Sequence, residues 1–154
     1  FQAQVDIQVI DQMSLRLAYR NFDVKTTYNN GLRQNPLVAQ HRAFGNLSFE
    51  TRSQWAIDYT VNWLSKQRIP PTEANPEDFR LPAFSPDYFL HNIQVSKRWG
   101  DLFDVYMGSS NVFDFRQEDA IISAENPFGR FFDAANIWAP VQGRNIYAGL
   151  RVKW

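Results

Sequence analysis

The sequence predicts an all-β protein, an antiparallel transmembrane β-barrel segment, on three observations. Apolar and polar residues alternate with a period of two over several stretches of roughly ten residues. The connections between these stretches alternate between tight turns and long loops, and all eight prolines lie in the long loops. No apolar run approaches the ~18 residues that a membrane-spanning helix needs. Short turns on one side and long loops on the other are typical of outer-membrane barrels.

The composition limits the function classes. The chain has 154 residues, which ordinarily form one domain, and aromatic residues make up 16% of them. The mean hydropathy is nevertheless −0.44, because large apolar groups alternate with polar ones. A formal net charge of zero gives no reason to expect a nucleic-acid partner. The absence of cysteine excludes a disulfide framework and a thiolate metal site.

The alternation predicts seven strands. The clearest lies within residues 53–66, where Trp55, Ile57, Tyr59, Val61 and Trp63 share one face. The other predicted strands lie within residues 1–10, 13–25, 38–50, 87–100, 102–115 and 145–154. The predicted tight turns are at 11–12, 51–53 and 100–101, and the long connections are roughly 26–37, 66–86 and 118–143.

Two strands have features of their own. In the second, the apolar parity changes at Phe22 and Val24, which we interpret as a bulge or as the strand leaving the membrane. In the sixth, Phe113 and Phe115 are predicted to continue the apolar face that begins at Phe103.

The tryptophans predict two aromatic girdles. Trp55, Trp99 and Trp154 lie at strand ends on the tight-turn side, and Trp63 lies at the long-loop end of its strand. At ~3.3 Å per residue and a tilt of ~40°, Trp55 and Trp63 would be roughly 20 Å apart along the membrane normal. This separation is close to that of the aromatic belts at the two membrane interfaces.

The last predicted strand ends on an aromatic residue. Apolar residues at alternate positions before a terminal aromatic are what the barrel-assembly machinery of the outer membrane recognises. The sequence therefore predicts an assembly signal and a location in the bacterial outer membrane. The signal residues are Ile146, Ala148, Leu150, Val152 and Trp154.

The remaining polar residues do not predict a catalytic or metal-binding site. His41 and His91 fall on outward or rim parities of different strands, so they are interpreted as ordinary barrel residues. The loop carboxylates lack a base, a nucleophile or a metal-ligand spacing, so they are interpreted as solvated charges, or as contacts to lipopolysaccharide through divalent ions. These are Glu73, Glu77, Asp78, Glu118 and Asp119. No catalytic residue, cofactor or metal site is predicted.

Two segments resemble a known family. GSSNVFDFRQ at 108–117 resembles the NLFD segment of TonB-dependent receptors. ENPFGRFFDAANIWAPVQGRNIYAGLRVKW at 125–154 is similar to the C-terminal end of such receptors from Bacteroidetes-type bacteria, outside the SusC-type glycan importers. The resemblance covers residues 101–154 and is one of pattern only over 1–100.

The resemblance implies a larger protein. Such receptors have a 22-stranded barrel around an N-terminal plug, so residues 1–154 would be the last seven strands of the barrel, beginning inside a strand. The partners would be the plug and N-terminal strands of the same receptor, TonB-ExbB-ExbD through the N-terminal part, the barrel-assembly machinery, lipid and lipopolysaccharide. A surface lipoprotein remains open as a further partner. Charges on the polar parity would face the lumen and pair with one another or with the plug. These lumen candidates are Arg16, Arg20, Arg42, Asp58, Arg98, Asp104 and Arg151.

The implied function is TonB-dependent uptake of a scarce nutrient such as cobalamin, a siderophore, haem or another metal chelate, without catalysis. Two alternatives stay open at this point. One is a complete eight-stranded outer-membrane barrel with a structural or adhesive role, in which residues 1–10 would pair with 145–154. The other is a soluble β-sandwich that binds glycans through exposed aromatic residues.

Overall fold

The computed structural model describes residues 1–28 and 31–153. It contains a seven-stranded antiparallel sheet and a separate two-stranded sheet. The strands are β1 Gln2–Ile10, β2 Met13–Asn21, β3 Lys25–Tyr28, β4 Gly31–Gln34, β5 His41–Glu50, β6 Trp55–Leu64, β7 Tyr88–Trp99, β8 Phe103–Ser110 and β9 Asn145–Val152. One short 3₁₀ helix spans Glu77–Phe79. No helix in the described ranges is long and apolar enough to cross a membrane.

The seven strands of the main sheet follow one another in space in chain order, β1-β2-β5-β6-β7-β8-β9. Each of them lies in one of the seven predicted segments, and the tight turns lie where they were predicted. Within residues 1–28 and 31–153, β1 pairs only with β2 and β9 only with β8. The described sheet is therefore open, with β1 and β9 as its edges, and it forms no closed barrel.

Strand pairing gives the sheet two continuous faces. Residues directly opposite each other on neighbouring antiparallel strands lie on the same face. Leu15 faces Leu47, Leu47 faces Tyr59, and Tyr59 faces Ile93, so apolar side chains run from strand to strand. We call this the apolar face and the opposite one the polar face.

The sheet has no hydrophobic core. The buried hydrophobic residues among those described are Ala39, Ile69, Tyr88, Ile122 and Ala139. Only Tyr88 belongs to a strand, and it is the first residue of β7. An exposed apolar patch of this extent exceeds what soluble monomers ordinarily show, and it indicates that another apolar medium or partner covers the face.

Two strand boundaries in the first half of the sheet were predicted wrongly. β2 ends at Asn21, so the parity change at Phe22 and Val24 is the end of the strand and involves no bulge there. The register shift that does occur lies in β1, between Gln8 and Ile10. The third predicted strand begins at His41 instead of near residue 38.

β8 also ends earlier than predicted, at Ser110. Asn111 takes a positive φ of 51°, and its Oδ1 accepts a hydrogen bond of 2.9 Å from the Phe115 backbone N–H. This side chain thus replaces the strand ladder with a turn. Phe113 and Phe115 do not continue the strand, although their spacing keeps the alternation.

The connection predicted at 26–37 contains the β3–β4 hairpin, which the alternation did not reveal. Asn29 and Asn30, between the two strands, lie outside the described residues, and so does Trp154.

Candidate functional site

The candidate site is the loop assembly, defined here as residues 22–28, 31–40, 65–87 and 111–144. Because the tight turns connect β1 to β2, β5 to β6 and β7 to β8 at one end of the sheet, the long connections all lie at the other end. These connections contain most of the buried residues of the described chain, including the polar residues Ser65, Gln67, Thr72, Ser85, Asn111, Gln117 and Asn136.

Two long loops meet at Trp138. Its carbonyl oxygen accepts hydrogen bonds from Gln67 Nε2 at 2.9 Å and from the Tyr88 hydroxyl at 3.1 Å. The Tyr88 ring stacks on Phe115, with centroids 5.0 Å apart and planes 8° apart. Since Gln67 is only 3% exposed, breaking these bonds would leave buried polar groups without partners. The loops 65–87 and 111–144 therefore hold each other in place.

The buried side chain of Gln117 links the first part of the loop 111–144 to the segment that returns toward the sheet, residues 136–139. Its Oε1 accepts hydrogen bonds from the backbone N–H groups of Trp138 at 2.8 Å and Ala139 at 3.2 Å. Its Nε2 donates to the Asn136 carbonyl at 2.9 Å. The side chain is 7% exposed, and one glutamine thus satisfies three backbone groups of the returning segment.

Asp114 joins the two ends of the loop 111–144, which we call the stem of this loop. Its Oδ1 accepts a hydrogen bond of 2.6 Å from the Arg144 backbone N–H and one of 3.0 Å from the Arg116 guanidinium. The Arg144 N–H first and the Arg116 side chain second hold the pKa of the Asp114 carboxyl below its ordinary value. A Cβ at position 143 would lie only 2.0 Å from Asp114 Oδ1, so the contact requires Gly143.

A cationic groove of about 630 Å³ lies between the β3–β4 hairpin and the loop 65–87. Arg68 donates a hydrogen bond of 2.9 Å to the Gln34 carbonyl, and its guanidinium lies 5.3 Å from the Tyr28 ring centroid. Arg33 also lines the groove, together with three prolines and Thr27, and no carboxylate among the described residues does. Two guanidinium groups beside an aromatic ring can bind an anion with a flat face.

The predicted lumen candidates all lie on the polar face, because Arg16 faces Asn46, Asp58 faces Gln94, and Asp104 lies between Arg98 and Arg151. That this face lines a lumen stays a prediction. Arg16 forms an ion pair with Asp6 at 2.5 Å, and Arg151 forms one with Asp104 at 3.2 Å.

Arg42 and Arg20 also share the polar face, since they are directly opposite each other on β5 and β2. Around the Arg16–Asp6 pair, the polar face forms a concavity of about 520 Å³ that Asp58 also lines. Arg42, Asp58 and Arg98 make no ion pair within 4.0 Å in the part of the chain that the structure describes.

Both histidines lie on the apolar face and contact a tyrosine of the neighbouring strand. The Tyr19 hydroxyl is 2.6 Å from His41 Nδ1, and the Tyr59 hydroxyl is 2.7 Å from His91 Nδ1. Neither belongs to a cluster of metal-ligating side chains, of which the described ranges contain none. The geometry gives these histidines structural partners.

The tryptophans lie at the strand ends where they were predicted, except Trp154, which is outside the described residues. Trp63 Nε1 donates to Asp87 Oδ2 at 3.0 Å, at the loop end of β6. Trp55 and Trp99 lie at the tight-turn end, on either side of Lys97. Their role as girdles, and that of β9 as an assembly signal, stay predictions.

The fold is similar to that of a known import receptor. The ferric-catecholate import receptor Fiu from E. coli K12, in its closed-form crystal structure, matches 97% of this chain with a TM-score of 0.64 and 10% sequence identity. At this identity the similarity concerns the fold alone. The chain spans 20% of that receptor's length. No protein-family model matches the chain, and no curated protein does either.

Proposed function

We propose that this chain is the C-terminal part of the barrel of a TonB-dependent outer-membrane receptor of the Bacteroidetes type, which imports a scarce nutrient. The observation that carries the proposal is the continuous apolar face of an open seven-stranded sheet whose long loops all lie at one end. A lipid bilayer is the medium that would cover such a face, and the similarity to an import receptor supports the same conclusion.

Both alternatives lack support. A complete eight-stranded barrel requires β1 to pair with β9, whereas each edge strand of the described sheet has one neighbour. A β-sandwich requires a second sheet packed on the apolar face. The two-stranded sheet β3–β4 is the only other one in the described ranges, and it belongs to the loop assembly.

In the proposed receptor, the polar face lines the lumen and contacts the plug through charges such as Arg42, Asp58 and Arg98. The remaining barrel strands pair with β1 and β9. The loop assembly captures the ligand, and TonB-ExbB-ExbD drives its release through the N-terminal part of the protein. A surface lipoprotein is a further partner that such a loop surface could accommodate.

The cationic groove favours one ligand class. Ferric catecholates and haem both combine negative charge with flat aromatic rings, which matches Arg33, Arg68 and Tyr28, and a ferric catecholate is the ligand chosen for the tests. We therefore propose an anionic metal chelate as the nutrient.

The proposal is tested by fractionating cells that express the intact protein. The protein should sediment with the outer membrane, migrate faster on gels before boiling than after, and support uptake of a radiolabelled ferric catecholate only when TonB is present. A protein that stays in the supernatant without detergent would contradict the outer-membrane location. Equal uptake with and without TonB would contradict the transport mechanism.

The assembly signal has its own test. Deletion of Trp154 should lower the amount of protein in the outer membrane while its synthesis is unchanged, because the last strand would lose its terminal aromatic. Normal amounts of folded protein in the deletion strain would contradict this role.

A further inference from the structure

One residue on the apolar face carries a full charge. Lys97 is the only Lys, Arg, Asp or Glu on this face of the seven strands, within the residues that the structure describes. It faces Trp55 on β6 and Val105 on β8, both of which belong to the apolar face. A lysine at this position is unexpected if the face contacts only hydrocarbon, because a charge in the bilayer interior is costly.

The position of Lys97 in the sheet explains how the charge is tolerated. Lys97 lies near the tight-turn end of β7, and its Nζ donates a hydrogen bond to the Ser53 carbonyl in the β5–β6 turn. Long lysine side chains near a membrane interface direct their ammonium group toward the polar region in this way. An ammonium group has three N–H donors, so the Ser53 bond leaves donor capacity for a ligand.

Two exposed tryptophans flank the ammonium group. Lys97 Nζ lies 5.5 Å from the Trp55 ring and 5.8 Å from the Trp99 ring. Trp55 is 45% exposed and Trp99 is 51% exposed, so both rings are accessible from the same side. Trp rings concentrate at the headgroup level of membranes, where the indole contacts both acyl chains and polar groups.

We propose that Lys97, Trp55 and Trp99 form a binding site for the phosphate headgroup of an anionic phospholipid. This inference rests on the proposed function, which places the apolar face in the membrane. The ammonium group supplies positive charge for the phosphate, and the two rings pack against the glycerol backbone and the upper acyl chains. The short turns of outer-membrane barrels are periplasmic, so in the proposed receptor the site faces the inner, phospholipid leaflet of the outer membrane. Arg52 is a second cation in the adjacent β5–β6 turn.

The chain provides a matched control. Lys66 at the other end of the sheet also lies over an aromatic ring, with its Nζ 5.2 Å from the Phe84 centroid, but it lies in a long loop. Lys66→Met therefore removes the same charge and a comparable cation–π contact outside the proposed site. Lys97→Arg keeps the charge at the site.

The test uses the intact protein, purified in a mild detergent and exchanged into mixed nanodiscs of phosphatidylglycerol and phosphatidylcholine. Native mass spectrometry then measures the ratio of the two lipids that remain bound. The wild type, Lys66→Met and Lys97→Arg should retain phosphatidylglycerol in preference. Lys97→Met should lower the ratio about fivefold, as expected for one lysine at an anionic membrane surface.

Each other outcome overturns the inference. An unchanged ratio in Lys97→Met, an equal loss in Lys66→Met, or no preference for phosphatidylglycerol in the wild type would each do so. Heat-modifiable migration of every variant verifies that folding is intact. A protein that fractionates with the outer membrane but shows no such ratio change contradicts the lipid site alone, whereas a protein absent from that fraction contradicts the proposed function itself.

Discussion

The seven-stranded sheet and the loop assembly are stabilised in different ways. In the sheet, backbone pairing is extensive, yet the apolar side chains remain exposed and no core forms between layers. In the loop assembly, polar side chains such as Gln67 and Gln117 are buried and hydrogen-bonded to backbone groups of another segment. The sheet therefore depends on its surroundings to cover its apolar face, while the loops are stabilised by their own internal contacts.

The largest effect is expected when a charged side chain is placed on the apolar face. Val61 faces Gly45 and His91 on this face, whereas its neighbour Thr60 lies on the polar face and accepts a hydrogen bond of 3.0 Å from Asn46. Val61→Arg should lower the free energy of unfolding by about 2–4 kcal/mol if the face contacts lipid near mid-bilayer. Thr60→Arg is the control and should cost much less. Equal unfolding free energies of the two variants in lipid would show that the faces are wrongly assigned.

The next effect concerns the loop assembly. Gln117→Leu would leave the Trp138 and Ala139 N–H groups and the Asn136 carbonyl without their partner, so loop opening should become easier by about 1–3 kcal/mol. Native-state hydrogen exchange of residues 136–139 measures this opening free energy. Glu118→Leu changes the adjacent exposed residue and should leave it unchanged. Exchange that is equally fast in both variants would mean that Gln117 does not hold the loop.

A smaller effect is expected at the cationic groove. Arg33 is exposed there, so Arg33→Ala should leave the fold intact and weaken binding of a ferric catecholate by about tenfold, the loss expected for one charged hydrogen bond. Titration calorimetry with the intact protein measures the affinity. Arg52→Ala removes an equal charge at the tight-turn end and is the control. A loss of the same size in Arg52→Ala would indicate a general charge effect without a specific groove.

The sequence predicts the sheet well because its signal is local. Alternation within ten residues is enough to locate β6, and antiparallel neighbours follow from tight turns. The signal misleads at the end of β8, where Phe113 and Phe115 keep the alternation although Asn111 has already turned the chain. It is absent from β3–β4, whose strands have four residues each and show no regular apolar alternation.

The loop contacts could not be predicted because they join distant residues. Gln117 and Trp138 are 21 positions apart, and nothing in either local sequence indicates that they meet. The resemblance to the receptor family identified the segments that contain Asp114, Trp138 and Arg144, but it did not say what these residues do. In the structure, Asp114 contacts the backbone of Arg144, and Gln117 contacts the backbone of Trp138. These contacts close the loop 111–144, so the residues have a structural role.

Other residues of the resembling segment also have packing roles. Tyr106 faces Gly149 on the polar face, and a Cβ at position 149 would lie 2.3 Å from the Tyr106 ring, so the tyrosine covers the space that the glycine leaves. Tyr147 reaches across β8 and donates a hydrogen bond of 3.2 Å to Gln94 Oε1. Part of this family-like pattern therefore reflects how β8 and β9 pack.

The smallest expected effect is a local response to acid at the stem of the loop 111–144. The folded pKa of Asp114 is lowered by the Arg144 N–H and by Arg116, so this contact stabilises the stem above the ordinary aspartate pKa of about 3.9. As the pH falls through the folded pKa, the carboxylate is protonated and the stabilisation is lost. Hydrogen exchange at Arg144, corrected for intrinsic rates, should show less protection at about pH 3 than at about pH 6.

Two variants serve as controls. Asp114→Asn keeps a short polar side chain that tolerates the positive φ of 57° but has no charge, so the protection of the Arg144 amide should be low at both pH values. Asp133→Asn alters another aspartate of the same loop, which accepts a hydrogen bond from the Ala135 N–H, and should leave the response at Arg144 unchanged. An acid response that persists in Asp114→Asn would assign the titration to a different carboxylate and would contradict the role of Asp114 in the stem.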